Sequence, residues 1–492
     1  MSKKKFFTLL LALVTALTMS LAGTALAVDQ WNGTSRDIVT VPASGVLEIA
    51  TGAQLAGFAD AVNAGTDFAN CTVILSDDIN LNNHDWTPIG YFFSYWGANK
   101  AFRGTFNGAG RTISGLNVNV SNTSRGETAA LFGYIDFPAT SSRSTAAKVS
   151  SETSAALAEA DIRALGLSGS EADNVKAERA AFYKTFGVKQ SVPMTRTTTA
   201  SAGGIVKNLK VIGSVTNSAG QGAAGIVCWN DGAIENCYFD GTIRCTSGSR
   251  TYSGGISSLL GGYTRIVNCV VSADIKTYGS LSYGGGIAGY CYAMDTGYII
   301  NCSVQPGSSV YSNMDTGGIA GGFANKIYNC VSAATTISVS DTVAPENEDK
   351  RNYTGGIVGA YGTVYNCYWL HGGVLQPNYA VGGGSDTNGR KTSMSSLPIG
   401  SVLLPSLSFA AGSPAILTAV TYPTNASGSV PIYSWSATSG LTVVNTTAGT
   451  TTVSASAAGT GTVTATVTDA TNWTTMTSPH TVTAESFVTV TN

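Results

Sequence analysis

The stretch Gly317-Gly318-Ile319-Ala320-Gly321, followed by Lys326-Ile327-Tyr328-Asn329-Cys330, contains the pattern that organises most of this chain. A glycine pair leads into isoleucine, and a few residues later a short apolar run leads into Asn-Cys. The same ending recurs at Ile234-Glu235-Asn236-Cys237, Ile266-Val267-Asn268-Cys269, Ile299-Ile300-Asn301-Cys302 and Val364-Tyr365-Asn366-Cys367. Val206-Lys207-Asn208-Leu209 is a further copy with Leu in place of Cys. The small-residue openings recur as Ala224-Gly225-Ile226, Gly254-Gly255-Ile256, Gly285-Gly286-Ile287 and Gly355-Gly356-Ile357. From Asn236 to Asn366 the asparagines are 32, 33, 28 and 37 residues apart. Fixed motifs at an uneven period describe a constant framework with loops of varying length.

Each repeat offers two or three short strands rich in β-branched residues, separated by glycines able to take positive φ. A single repeat cannot bury its apolar face, but repeats stacked in parallel about 4.8 Å apart make continuous sheets around a narrow core. In that arrangement the recurring Ile and Cys point inward, and the recurring Asn forms a ladder of side-chain amides. The expected fold is all-β, a right-handed parallel β-helix (solenoid).

These segments resemble the GLUG-type repeats of bacterial surface proteins. The likeness rests on Gly318-Ile319-Ala320-Gly321 with Ile327-Tyr328-Asn329-Cys330, and on Gly356-Ile357-Val358-Gly359 with Val364-Tyr365-Asn366-Cys367-Tyr368. Leu55-Ala56-Gly57-Phe58-Ala59, Trp86-Thr87-Pro88-Ile89-Gly90 and Gly104-Thr105-Phe106-Asn107-Gly108 resemble the segment that precedes such repeats. The likeness spans about residues 45–136 and 203–370. It implies export and a repeat fold, and is nearly silent on ligand.

Outward from the repeats, residues 1–27 read as a signal peptide. Lys3, Lys4 and Lys5 precede an apolar run from Phe6 to about Met19, and Ala25-Leu26-Ala27 is a small-residue cleavage site. The mature chain is expected to be secreted or at the cell surface, with no integral membrane segment after cleavage. Residues 28–385 are assigned to the β-helix. Thr51 to Ala64 is its N-terminal capping helix, with Thr51 as N-cap and Leu55, Phe58, Ala59 and Val62 on one face. Residues 137–202, richer in Ala, Glu and Asp, interrupt it as a partly helical or flexible insertion. Residues 386–402 read as a linker, and 403–492 as an Ig-like β-sandwich with Trp435 in its core.

Composition narrows the function. Only 11% of the 492 residues are charged and the net charge is −2, so there is no basic field to bind nucleic acid. His84, His371 and His480 have no metal-ligand spacing, and there is no Gly-x-Ser-x-Gly elbow. Neither Gly384–Thr392 as a phosphate loop nor Asp341–Asp349 as a calcium loop has the required pattern. No catalytic residue, metal or cofactor is expected. Five of the nine cysteines occupy the repeat position and are expected as reduced, buried thiols; Cys71, Cys228, Cys245 and Cys291 stay undecided.

The chain is therefore expected to be a non-enzymatic secreted or cell-surface protein that binds glycan, host matrix or cell-wall polymer. The alternative is a carbohydrate-active β-helix enzyme, a polysaccharide lyase or glycoside hydrolase, by analogy of fold alone. Tyr91-Phe92-Phe93-Ser94-Tyr95-Trp96 holds five aromatics in six residues beside Gly97 and Asn99. Tyr91, Phe93, Tyr95 and Trp96 are the candidate ligand residues, suited to stacking on sugar faces. The competing reading has Phe92 and Phe93 packed against the helix carrying Leu55 and Phe58.

Overall fold

The computed structural model describes residues 30–93, 99–122, 128–136, 204–247, 250–261, 264–291, 297–323, 326–340, 353–360, 362–370, 381, 389–392, 397–424, 431–444, 447–469 and 480–492. The expected signal peptide, the 137–202 insertion, Tyr95 and Trp96 lie outside these residues. The described chain is mostly strand with one helix, and no described helix is long and apolar enough to cross a membrane.

Four parallel sheets carry the repeats, one of nine strands, one of eleven and two of six. A single repeat visits all four in turn. Ala233–Glu235 joins the nine-stranded sheet, Tyr238–Cys245 the eleven-stranded one, and Arg250–Gly254 and Ser257–Leu260 the two smaller ones. Arg265–Val267 then pairs in parallel with Ala233–Glu235 and starts the next repeat. The register places equivalent residues directly over one another: Val206, Ile234, Ile266, Ile299, Ile327 and Val364 form one continuous row. All six are buried, as are Ile226, Ile256, Ile287, Ile319 and Ile357 after the glycines. This apolar interior runs unbroken from Trp31 to Val381.

The backbone at the two recurring motifs differs from the sequence expectation in an instructive way. Positive φ falls on the asparagines: Asn208, Asn236, Asn268, Asn301, Asn329 and Asn366 all lie between 49° and 54°. Asn is the side-chain-bearing residue that best tolerates this left-handed region, which explains its recurrence. Gly225, Gly255, Gly286, Gly318 and Gly356 are not in that region. They are glycine for want of space: a Cβ on Gly286 would stand 2.2 Å from the Gly318 carbonyl oxygen, and one on Gly318 the same distance from that of Gly356.

The helix α1 (Gly52–Ala64) begins with a capping box, in which the Thr51 hydroxyl accepts from Gln54 N–H and Gln54 reaches back to the Thr51 backbone. Leu55, Phe58, Ala59 and Val62 are buried. Phe58 meets Phe68, Phe102 and Phe106 at ring-centroid distances of 4.9, 5.5 and 6.1 Å.

A second core runs from Ile399 to Val490 and includes Trp435. Its strands form sheets of four, three and two, with Gly459–Asp469 paired residue by residue to 480–490. Within the stretch expected as a linker, 397–402 is buried, and Ser401–Leu403 pairs antiparallel with Val420–Tyr422. The segment is fixed because it packs against the repeats. The Ser401 hydroxyl donates to the Asn301 carbonyl at 2.8 Å, and the Ser303 hydroxyl to that of Tyr422 at 3.2 Å.

Candidate functional site

The aromatic run begins on one arm of a hairpin closed by an antiparallel bridge between Tyr91 and Lys100. Ile89 bridges to Phe132 and Phe102 to Ile135, and between these anchors Tyr91 and Lys100 exchange backbone hydrogen bonds of 2.7 and 3.0 Å. The Asn99 side-chain oxygen accepts from Phe93 N–H at 2.7 Å and secures the next residue. Alternation along this strand sends its rings to different places. Tyr91 is half-buried, Phe92 is buried and Phe93 is 38% exposed.

Phe92 does not pack on α1, which corrects one of the two readings of this run. It stacks on Trp229 with ring centroids 3.8 Å apart and meets Tyr134 edge-on at 5.4 Å. Helix α1 obtains its aromatic partners from Phe68, Phe102 and Phe106, which lie closer to it through the strand register. Tyr91 contacts Phe93 edge-on at 5.2 Å, and the two expected ligand residues that are described therefore do come together.

Tyr91 also borders a pocket of about 190 Å³ between the hairpin, the end of α1 and the strand Thr112–Val120. Asn63, Trp86, Asn119, Asn122 and Thr128 share its lining. Asn63 is locked in place: its amide donates to the Pro88 carbonyl at 3.0 Å and its oxygen accepts from Gly90 N–H at 2.9 Å. Trp86 donates to the Leu131 carbonyl at 3.2 Å. Asn119 and Asn122 stand exposed at the rim. Thr128 is 5% exposed, and its buried hydroxyl has no hydrogen-bond partner among the described residues. No charged side chain among the described residues lines the pocket. Beyond Tyr91, only Trp86 of these residues was named from the sequence, and there for the resemblance and not as a ligand residue. They are spread from position 63 to 128, and only the polar run Asn119-Val120-Ser121-Asn122 at a strand end marks them.

Tyr134 and Trp229, the rings that Phe92 contacts, belong to a polar cluster with different properties. Asp136 and Asp231 stand opposite each other in register. Arg103 pairs with Asp136 at 2.9 Å, while Tyr134 and Trp229 both donate to Asp231, at 3.0 and 3.2 Å. Burial and the adjacent Asp231 carboxylate push the Tyr134 phenol well above its ordinary range, so it remains a donor. Both carboxylates are thus engaged in holding side chains. Among the described residues no three His, Cys, Asp or Glu side chains are grouped to hold a metal ion.

The repeat motif itself forms a structural array. Asn208 donates to Asn107, Asn236 to Asn208 and Asn268 to Asn236, at 3.1, 3.0 and 2.7 Å. All nine cysteines are buried thiols, none in a disulfide. The stacked ones are more than apolar filler. Each thiol of Cys237, Cys269, Cys302, Cys330 and Cys367 lies 3.2–3.4 Å from the carbonyl oxygen two residues before it. The sulfurs of Cys302, Cys330 and Cys367 also accept the backbone N–H of the cysteine one repeat earlier.

No family model, curated protein or solved structure matches this chain.

Proposed function

We propose that this chain is an exported, non-enzymatic binding protein of the cell surface or its surroundings, taking glycan, matrix or cell-wall polymer as ligand. In this reading the four parallel sheets are a right-handed parallel β-helix of GLUG type, α1 covers its N-terminal end, and the C-terminal strands form an Ig-like sandwich. The observation that carries it is the pocket beside Tyr91, where an aromatic ring and side-chain amides converge. That combination suits a polyhydroxylated ligand, whose ring faces are apolar and whose edges hydrogen-bond. The carboxylates Asp136 and Asp231 are tied up by Arg103, Tyr134 and Trp229, which favours binding over hydrolysis or elimination.

A glycan array with the secreted chain tests this directly. Binding to at least one class of glycan, lost in the Tyr91→Ala/Phe93→Ala double variant at unchanged melting temperature, is the expected result. Release of reducing sugar from any of the same polymers would replace the binding reading with an enzymatic one.

A further inference from the structure

We infer that residues 397–406 are a strap that locks the stacked repeats along their axis, so that the repeats and the C-terminal core come apart together and not strand by strand. This goes beyond the ligand reading above and does not depend on it.

The path of the segment is the first reason. Leu397 packs with Val331 and Tyr368. A Cβ on Gly400 would stand 2.5 Å from the Ser303 hydroxyl oxygen and 2.9 Å from a Val331 methyl, so the chain lies directly against both strands. The Ser401 hydroxyl is 2.8 Å from the Asn301 carbonyl oxygen and 3.3 Å from that of Cys269. Val402 pairs with Asn268 through two hydrogen bonds. At the far end a Cβ on Gly110 would overlap the Ser406 nitrogen and stand 3.0 Å from the Pro405 carbonyl carbon. These contacts run from Cys367–Leu370 back to the start of Thr112–Val120, across seven successive strands of the eleven-stranded sheet. Six spacings of about 4.8 Å span roughly 29 Å, and the nine steps from Leu397 to Ser406 cover about 30 Å when extended at ~3.3 Å each. The segment is therefore laid out at full length across the strands, along the axis of the stack.

The second reason is what such a path does to a repeat array. Stacked repeats touch only their neighbours, so an array without further ties opens from its ends one repeat at a time. The strap joins strands that do not touch each other. It is itself held from behind: Ser401–Leu403 pairs with Val420–Tyr422, and the Ser486 hydroxyl donates to the Pro405 carbonyl at 2.5 Å. Two more ties flank it, from Thr424 N–H to the Gln305 side chain at 3.0 Å and from Lys207 to Glu485 at 3.8 Å. Peeling off the last repeat breaks the Leu397 and Gly400 contacts and pulls on Val402, so the load passes to Asn268, three strands further back.

The test is hydrogen exchange of the full secreted chain across a urea series, read by mass spectrometry on peptides from 326–332, 363–370 and 459–469. In the parent all three are expected to lose protection at one urea concentration. Ser401→Ala removes the hydroxyl that reaches two strands, and Gly400→Val forces the chain off Ser303 and Val331. In both variants the peptides 326–332 and 363–370 are expected to exchange about tenfold faster without urea, the change that losing one or two hydrogen bonds produces. They are also expected to lose protection at lower urea than 459–469. Trp435→Phe, in the C-terminal core but outside the strap, should instead lower all three midpoints together. If Gly400→Val does not fold, Ser401→Ala decides. Separate midpoints in the parent, coincident midpoints in Ser401→Ala, or a Trp435→Phe effect confined to 459–469 would each overturn the inference.

Discussion

Val402 and Asn268 bond to each other twice: the Val402 N–H donates to the Asn268 side-chain oxygen at 2.8 Å, and the Asn268 amide donates back to the Val402 carbonyl. A side chain of the repeat array thereby pairs with the C-terminal segment as one strand pairs with another. Asn268 simultaneously donates to Asn236 and holds a φ of 52°. One residue turns the chain, extends the ladder and anchors the C-terminal strands. The neighbouring Tyr238–Tyr422 ring contact at 5.7 Å and the Gln305 side chain, which accepts from Thr424 N–H at 3.0 Å, extend the same seam.

Asn268 is therefore expected to be the most sensitive asparagine of the ladder. Asn268→Ala loses four hydrogen bonds, to Asn236, Thr483 and twice to Val402, and forces alanine into the left-handed region, for a cost of about 3 kcal/mol or more. Asn236→Ala breaks ladder bonds but leaves the Val402 contact in place, so it costs less. Asn268→Gly relieves the backbone strain only. Thermal melts should rank the variants Asn236→Ala and Asn268→Gly above Asn268→Ala. Cleavage by protease within 397–404 should appear only in the Asn268 variants. Equal melting of the two alanine variants would remove the anchoring role.

Cys302 ties two repeats together through its sulfur, which lies 3.3 Å from the Ile300 carbonyl oxygen and accepts Cys269 N–H at 3.4 Å. Cys302→Ala strands the Cys269 N–H, while the Ile300 carbonyl still accepts from Asn268 N–H at 3.0 Å, and is expected to destabilise by about 1–3 kcal/mol, with ligand binding intact. Burial pushes the Cys269 and Cys330 thiols upward and that of Cys245 up to about 12. Thiol reagents at pH 8 should accordingly label the native chain far more slowly than the denatured one. Rapid native labelling of the stacked cysteines would contradict their burial.

Asp315 is 2% exposed and burial raises its carboxyl to about 7, although Tyr353 N–H donates to it at 3.2 Å. Its pKa in the unfolded chain is about 3.9. Between those values the folded state holds a proton that the unfolded state has released, so stability falls as pH rises from about 4 to 7. At roughly 1.4 kcal/mol per unit the loss amounts to a few kcal/mol at neutral pH. Asp315→Asn keeps a hydrogen-bond acceptor without the charge. It should raise the melting temperature at pH 8, leave it little changed at pH 4 and flatten the slope between. A variant that tracks the parent at both pH values would show that Asp315 is not the group responsible.

Gly286 and Gly440 separate two reasons for being glycine. A Cβ at Gly286 meets the Gly318 carbonyl oxygen at 2.2 Å and a Val304 methyl at 2.6 Å. Gly440 has a φ of +93° and nothing within 4 Å of a Cβ. Gly286→Ala must push repeats apart and is expected to cost about 3 kcal/mol or more. Gly440→Ala meets only backbone strain, about 1–2 kcal/mol. Urea midpoints measure both, and a smaller loss at Gly286 would refute the close approach.

The hairpin at Tyr91 shows where reading the sequence stops. Five clustered aromatics identified a departure from the repeat, yet nothing local told which ring would leave the surface. Phe92 is buried because Trp229, 137 positions later, is brought over it by the pairing of Phe132–Asp136 with Val227–Asp231. Thr128 and Asn63 were invisible for the same reason, since only the register sets them around one cavity.

What the sequence by itself determined is which residues repeat and which face they share. Periodic Ile and Cys define an inward row and periodic Asn a ladder, which forms from Asn107 to Asn268 but leaves the Asn329 side-chain oxygen without a partner among the described residues, and Thr51 marks the start of α1. Tertiary structure alone decided how each repeated residue is used and where the chain departs from the repeat. It gave the left-handed φ to asparagine and the tight space to glycine, made the cysteine sulfurs hydrogen-bond partners, and seated 397–402 on Asn268 and Asn301. Those outcomes depend on distances between residues far apart along the chain, and such distances exist only once the sheets have stacked.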